Sequence, residues 1–135
     1  MDRQRNYIAQ VEGELVYKIL GAAYSVINAV GHGFREKTYE RGLCVEFQHL
    51  GIPFSQQQVY PVYYRGIKID EFIPDLEVAG KVILETKVVD CINDDHVGQT
   101  LNYLKITGME VGLILNFRHP RLQHRKIVYQ PERPR

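Results

Sequence analysis

Asp75, Glu85 and Lys87 are the side chains in this sequence best suited to reaction chemistry. Ala79-Gly80-Lys81 reads as a hairpin turn, and Asp75 and Glu85 each lie five residues from Gly80. With a three-residue loop centred there, the two carboxylates stand directly opposite each other, with Cβ atoms about 4.5–5.5 Å apart. A slip of one residue in register would undo that alignment. Glu85 and Lys87 differ by two positions and project from one strand face, whereas the Thr86 side chain points to the other. Paired acids on neighbouring strands repel unless a cation lies between them. A hard divalent ion, Mg²⁺ or Mn²⁺, takes carboxylate, carbonyl and water oxygens, and Asp75, Glu85 and the Thr86 carbonyl can supply them. Such an ion lowers the pKa of a bound water and offsets charge developing on a phosphoryl oxygen. Lys87 adds a compact ammonium that holds the attacking water or stabilises the transition state. The chemistry is then attack of a metal-activated water on a phosphoryl group. The same three residue types also occur on solvated strand faces held by weak salt bridges, so the trio alone leaves both readings open.

The elements that would carry these residues follow from periodicity. Leu15, Ile19, Ala22, Ala23, Val26, Ile27 and Val30 recur at steps of three and four, which marks one stripe of an amphipathic helix. Gly31-His32-Gly33 closes it. A second helix is expected from about Arg35 to Leu50, with Tyr39, Leu43, Phe47 and Leu50 inward and Gly51-Ile52-Pro53 as its stop. Glu36, three residues before Tyr39, falls on that inward stripe. An inward carboxylate must be hydrogen-bonded, paired or bound to a metal. Val59 to Tyr64 reads as a strand, Arg65-Gly66 as a turn, and Ile67 to Val78 as an extended run in which Pro74 signals an edge or a bulge. Val82 to Val89 is the strand after the Gly80 turn. Asp94 is the expected N-cap of a helix over Asp95 to Thr107, closed by Gly108. Val111 to Phe117 is a central apolar strand, and Lys126 to Tyr129 a short last one. This order predicts an α/β fold with a mixed central sheet and helices packed on it. His96, Gln99 and Tyr103, spaced i, i+3, i+7, share one face of the third helix. His96 reads as a surface histidine at the helix start, and Tyr103 equally as an ordinary core aromatic.

Pro74-Asp75 followed by Glu85-Thr86-Lys87 resembles the PD…(D/E)XK signature of a large nuclease superfamily. Gly33-Phe34-Arg35-Glu36-Lys37-Thr38-Tyr39 resembles the signature that names the small bacterial and archaeal GxxExxY proteins. Gln99-Thr100-Leu101-Asn102-Tyr103 is similar to the QxxxY element of RecB-like exonucleases in the same superfamily. All three occur in the family's order between about Leu15 and Phe117. The resemblance implies a restriction-endonuclease-like αβββαβ core with Asp75 and Glu85 as metal ligands and Lys87 as the catalytic lysine. It further implies that Glu36 completes or positions the metal site and that Gln99 and Tyr103 face the cleft. There Gln99 would hold a phosphate or Lys87, and Tyr103 would stack or hydrogen-bond.

Composition sets the remaining expectations. The 135 residues fit one domain, with a core over about residues 15–130 between polar termini. At 44% hydrophobic and 24% charged, the chain has the make-up of a soluble globular protein. A net charge of +1, from 17 basic and 16 acidic residues, excludes a protein that holds nucleic acid by charge alone. Nucleic acid is still the expected partner, DNA ahead of RNA, with a homodimer or a protein partner supplying further contacts. Arg118, Arg121, Arg125, Lys126, Arg133 and Arg135 crowd the C-terminal stretch and read as a solvated tail, with phosphate contact as the alternative. Cys44 and Cys91 have no zinc-type spacing, and Cys44 is expected as a buried free thiol. His119 and His124 lack further ligands nearby. The polar stretch Met1 to Gln10 is no signal peptide, and Gly21 to Val30 is too short for a bilayer, so a cytoplasmic protein with no membrane contact is expected. The chain carries no GxxxxGK[ST], GxGxxG or GxSxG motif. Glu77, on the same strand face as Asp75, is expected to be solvated. The competing function is a non-catalytic module that binds nucleic acid or protein on the same fold.

Overall fold

The apolar stripe that begins at Leu15 builds a long first helix, α1 (Arg3–Val30), with Val16, Ile19, Ala22, Ala23, Val26 and Ile27 buried along it. The computed structural model describes residues 3–130, with residues 4–12 described by their backbone only, so Arg133 and Arg135 of the basic tail lie outside the described residues. α2 (Glu36–Leu50) buries Tyr39, Glu40, Leu43 and Phe47 and ends on Gly51 at φ 70°, a left-handed cap that glycine adopts without a Cβ clash. The strands that follow are β1 (Phe54–Gln56), β2 (Tyr60–Tyr64), β3 (Ile67–Phe72), β4 (Leu76–Val78) and β5 (Val82–Lys87). Then come α3 (Asp94–Thr107), β6 (Val111–Asn116) and β7 (Gln123–Val128).

Five strands form a mixed sheet in the order β1-β4-β5-β6-β7, in which β5 and β6 run parallel and the other neighbours antiparallel. The parallel pair is joined by α3, as a crossover connection requires. β2 and β3 form a separate two-stranded ribbon. With that ribbon set aside, α2-β1-β4-β5-α3-β6 is the αβββαβ order, preceded by α1 and followed by β7.

The sheet has a core on each face. Val82 and Leu84 of β5 join Leu76, Val78, Leu113 and Leu115 under α1 and α2. Ile83 joins Ile114, Ile127, Ile92 and Leu104 under α3. Because side chains alternate along a strand, Glu85 and Lys87 continue the Ile83 side and open on the α3 face. Six consecutive buried residues fit β6 as an interior strand covered on both faces, although the middle place in the sheet belongs to β5 and not, as its apolar run suggests, to β6.

Several boundaries differ from expectation. The run Ile67 to Val78 is two strands in two sheets, broken at Ile73-Pro74-Asp75, where proline can neither donate to a ladder nor extend one. The cap of α3 is Asn93, not Asp94: its side chain accepts from the His96 backbone N–H at 3.0 Å, while the His96 ring accepts from the Asn93 N–H at 3.1 Å. β7 starts three residues earlier than expected, and the short edge strand β1 is additional. Among the described residues no helix is long and apolar enough to cross a membrane.

Candidate active site

β4 and β5 pair Leu76↔Leu84, Glu77↔Ile83 and Val78↔Val82, a register centred on Gly80. Asp75 and Glu85 stand one step beyond, across from each other, as their spacing about Gly80 predicts. Asp75 is held by Thr86: its Oδ2 accepts from the Thr86 backbone N–H at 2.9 Å and from the Thr86 hydroxyl at 3.0 Å. The Thr86 N–H therefore points to the β4 side of the strand, and the carbonyl of the same residue shares that side.

Glu85 is buried, and its Oε1 has no hydrogen-bond partner. Desolvation pushes its pKa up to about 8, the neighbouring Asp75 charge adds to the rise, and the Lys87 ammonium opposes it. A buried carboxylate oxygen without a donor is costly, and a second carboxylate beside it compounds the cost. A divalent cation relieves both, so these residues fit such an ion. Among the described residues no three His, Cys, Asp or Glu side chains gather closely enough to hold a metal. Two carboxylates suffice for Mg²⁺, which keeps waters and substrate oxygens in the rest of its shell.

The rim of the site comes from α3 and the β2–β3 ribbon. Tyr103 titrates above its ordinary range, chiefly through burial, then through the Glu85 charge and further through Asp75, while a hydrogen bond with the Gln99 side chain pulls the other way. Gln99 and Tyr103 lie one helical turn apart on one side of α3, with Gln99 exposed and Tyr103 half-buried. The Tyr103 ring also stacks on Phe72, with centroids 3.5 Å apart. α3 reaches this position because Gly112 on β6 lacks a Cβ: one built there would lie 2.6 Å from Thr100 Cγ2. Behind Lys87, whose carbonyl accepts from the Phe117 N–H at 2.9 Å, the buried Asn116 amide grips both the N–H and the C=O of Val89.

Three acids sit elsewhere than expected. Glu36 is exposed at the first position of α2, not inward. At a helix start no preceding turn covers the side chain, so an apolar-stripe position there still opens to water. The buried acid of α2 is Glu40, paired with Lys37 at 3.0 Å and accepting from the Gln57 side chain at 3.0 Å. Gln57 directly follows Gln56, the β1 residue paired with Leu76 of β4. Glu40 was findable, since it lies three residues before Leu43 and seven before Phe47. Glu77, expected in solvent, is buried under the Tyr60 hydroxyl, which donates to it. Cys44 is half-buried and free, and its thiol is pushed up by burial and by Glu40.

The sequence profile of the PD-(D/E)XK nuclease superfamily matches residues 13–127. No curated protein matches the sequence. Among solved structures, the chain is similar to the protein described as "Crystal structure of SSO0001", at 15% identity and a TM-score of 0.53. The alignment covers 96% of this chain and 64% of that one, a likeness of fold.

Proposed function

Since this chain belongs to the PD-(D/E)XK nuclease superfamily, we propose that it is a Mg²⁺- or Mn²⁺-dependent phosphodiesterase that cleaves nucleic acid, DNA in the first place. The observation that carries the reading is the orphaned, buried Glu85 oxygen beside Asp75. Asp75, Glu85 and the Thr86 carbonyl are the metal ligands. When bound, the ion supplies an activated water and a counter-charge for the phosphoryl oxygens. Thr86 fixes the Asp75 carboxylate through two hydrogen bonds. Lys87 projects from the Glu85 face and neutralises charge that develops on the phosphoryl oxygens. Gln99 and Tyr103 line the cleft and orient the substrate strand. Glu36 does not gather with Asp75 and Glu85 into a group of three acids, so it contributes through water or substrate, in keeping with its place in a GxxExxY-type segment.

Purified protein is incubated with labelled single- and double-stranded DNA and RNA in Mg²⁺, Mn²⁺ or EDTA, beside Asp75→Ala and Lys87→Ala. Cleavage in either metal that disappears in EDTA and in both variants supports the proposal. Cleavage that survives both substitutions rejects it. Nucleic-acid binding that is indifferent to metal, with no cleavage by the parent chain, favours a non-catalytic binding module instead.

A further inference from the structure

The β2–β3 ribbon has a surface chemistry that phosphodiester hydrolysis does not use. The register shifts between Val62 and Tyr63, where Ile69 of β3 is left without a partner, so the extra residue sits on β3 and β2 keeps its alternation, with Tyr60, Val62 and Tyr64 on one face and Pro61 and Tyr63 on the other. At the base of the first face, Tyr60 pairs with Phe72, with ring centroids 6.5 Å apart, and Phe72 stacks on Tyr103 of the site. The row Tyr103, Phe72, Tyr60, Val62, Tyr64 therefore leads outward from the acids, with Tyr64 about 13 Å beyond Tyr60. Burial ends toward the tip, where Tyr63 is 62% and Tyr64 63% exposed.

The tip is a two-residue turn with φ of 49° at Arg65 and 77° at Gly66. Both positive angles match a type I′ hairpin turn, whose first position is ordinarily Asn, Asp or Gly. An arginine in the left-handed region costs roughly 1 kcal/mol. Here it sets the guanidinium over the Tyr64 ring, 5.8 Å from its centroid.

We propose that this ribbon is a stacking platform for an unpaired nucleic-acid strand entering or leaving the site, so that the substrate is single-stranded or carries an unpaired end. The inference rests on the hydrolytic reading and narrows its substrate. The exposed Tyr64 ring, at the end of the row that leads from the acids, and the Arg65 guanidinium beside it offer unpaired bases a π surface and the backbone a cation, and such stacking tolerates any sequence. A duplex hides its base faces from these rings. The net charge of +1 agrees with binding that relies on stacking more than on many phosphate contacts. A second copy of the chain suits the ribbon less well. Tyr64 and Ile67 lie on one face and Tyr63 on the other, so burying either face leaves apolar surface in water.

The test is fluorescence anisotropy in EDTA with a labelled single-stranded DNA, the RNA of the same sequence and the DNA duplex, beside Tyr64→Val and Arg65→Asn. Valine suits a strand and asparagine suits the turn, so both variants keep the hairpin, which thermal melting checks. Single strands are expected to bind more tightly than duplex, and each variant to weaken single-strand binding about tenfold while leaving duplex binding unchanged. Parental single-strand affinity in both variants overturns the platform. So does a shift from dimer to monomer in sedimentation, which makes the ribbon a contact between copies. Cleavage in Mn²⁺ is scored in parallel. Cleavage by the parent with hairpin-independent binding removes the platform alone. Hairpin-dependent binding without cleavage by the parent removes the hydrolytic reading alone.

Discussion

Asp75 Oδ2 accepts two hydrogen bonds from one residue, the Thr86 backbone N–H and the Thr86 hydroxyl, at 2.9 and 3.0 Å. Residue 86 is the variable position of the Glu85-Thr86-Lys87 triplet, yet its side chain reaches around the strand edge to fix the opposing acid. Thr86→Val keeps the β-branch and the backbone bond but removes the hydroxyl. A hydrogen bond to a charged group is worth about 1.5–3 kcal/mol. Cleavage by Thr86→Val is expected to fall roughly tenfold or more, with the fold intact by circular dichroism. Activity equal to the parent's would show that the hydroxyl does not position Asp75.

Glu85 makes stability depend on pH and on metal. Its pKa in the folded protein, about 8, lies above the ordinary 4.5, so the folded state prefers the protonated acid. The stabilisation linked to that proton is complete below about pH 4.5 and is lost as pH rises toward 8. The metal-free melting temperature should therefore drop between pH 5 and pH 8, and Glu85→Gln should flatten the decline. Adding Mn²⁺ at pH 7 should restore stability and release protons, read by calorimetry in two buffers of different ionisation enthalpy. A flat profile in the parent protein, or Mn²⁺ uptake without proton release, would contradict this account.

The face shared by Glu85 and Lys87, and their registry with Asp75 across the Gly80 turn, were legible because each depends on local counting: period two along a strand and a loop of three. The α3 face carrying Gln99 and Tyr103 was legible for the same reason. Glu36 and Glu40 mark where counting fails. Both fit the inward stripe of α2, and only the covering structure separates them: Gln57 and Lys37 close over Glu40, while Glu36 opens to water. Nothing local marks Glu77 as buried, because the cover over it is the β2–β3 ribbon folding back, a long-range contact. β1 leaves no mark in the sequence because Phe54-Ser55-Gln56 is too short to show alternation.

Lys87 is half-buried on the Glu85 face and holds the only charge that lowers the Glu85 pKa among the causes of its shift. Lys87→Ala should cut turnover by about 100-fold or more, the scale set by loss of one transition-state donor. Nucleic-acid affinity in EDTA should change little, because one phosphate contact is a small share of binding. Loss of affinity in step with turnover would assign Lys87 to substrate binding instead.

Gly112 sets how closely the helix that carries Gln99 and Tyr103 packs on β6. A Cβ at this position would meet Thr100 Cγ2 at 2.6 Å and the two Leu104 δ-carbons at 3.6 Å, so Gly112→Ala must push α3 away from β6. Overpacking of this kind costs about 1–3 kcal/mol. Because Gln99 and Tyr103 flank Thr100 on the same helix, the shift should also raise KM for the nucleic-acid substrate. Thr100→Ser removes the offending methyl and keeps the hydroxyl that donates to the His96 carbonyl at 3.0 Å. The double variant Gly112→Ala, Thr100→Ser should regain most of the lost melting temperature and KM relative to Gly112→Ala alone. A double variant no better than the single one would mean that the Thr100 methyl is not what holds α3 in place.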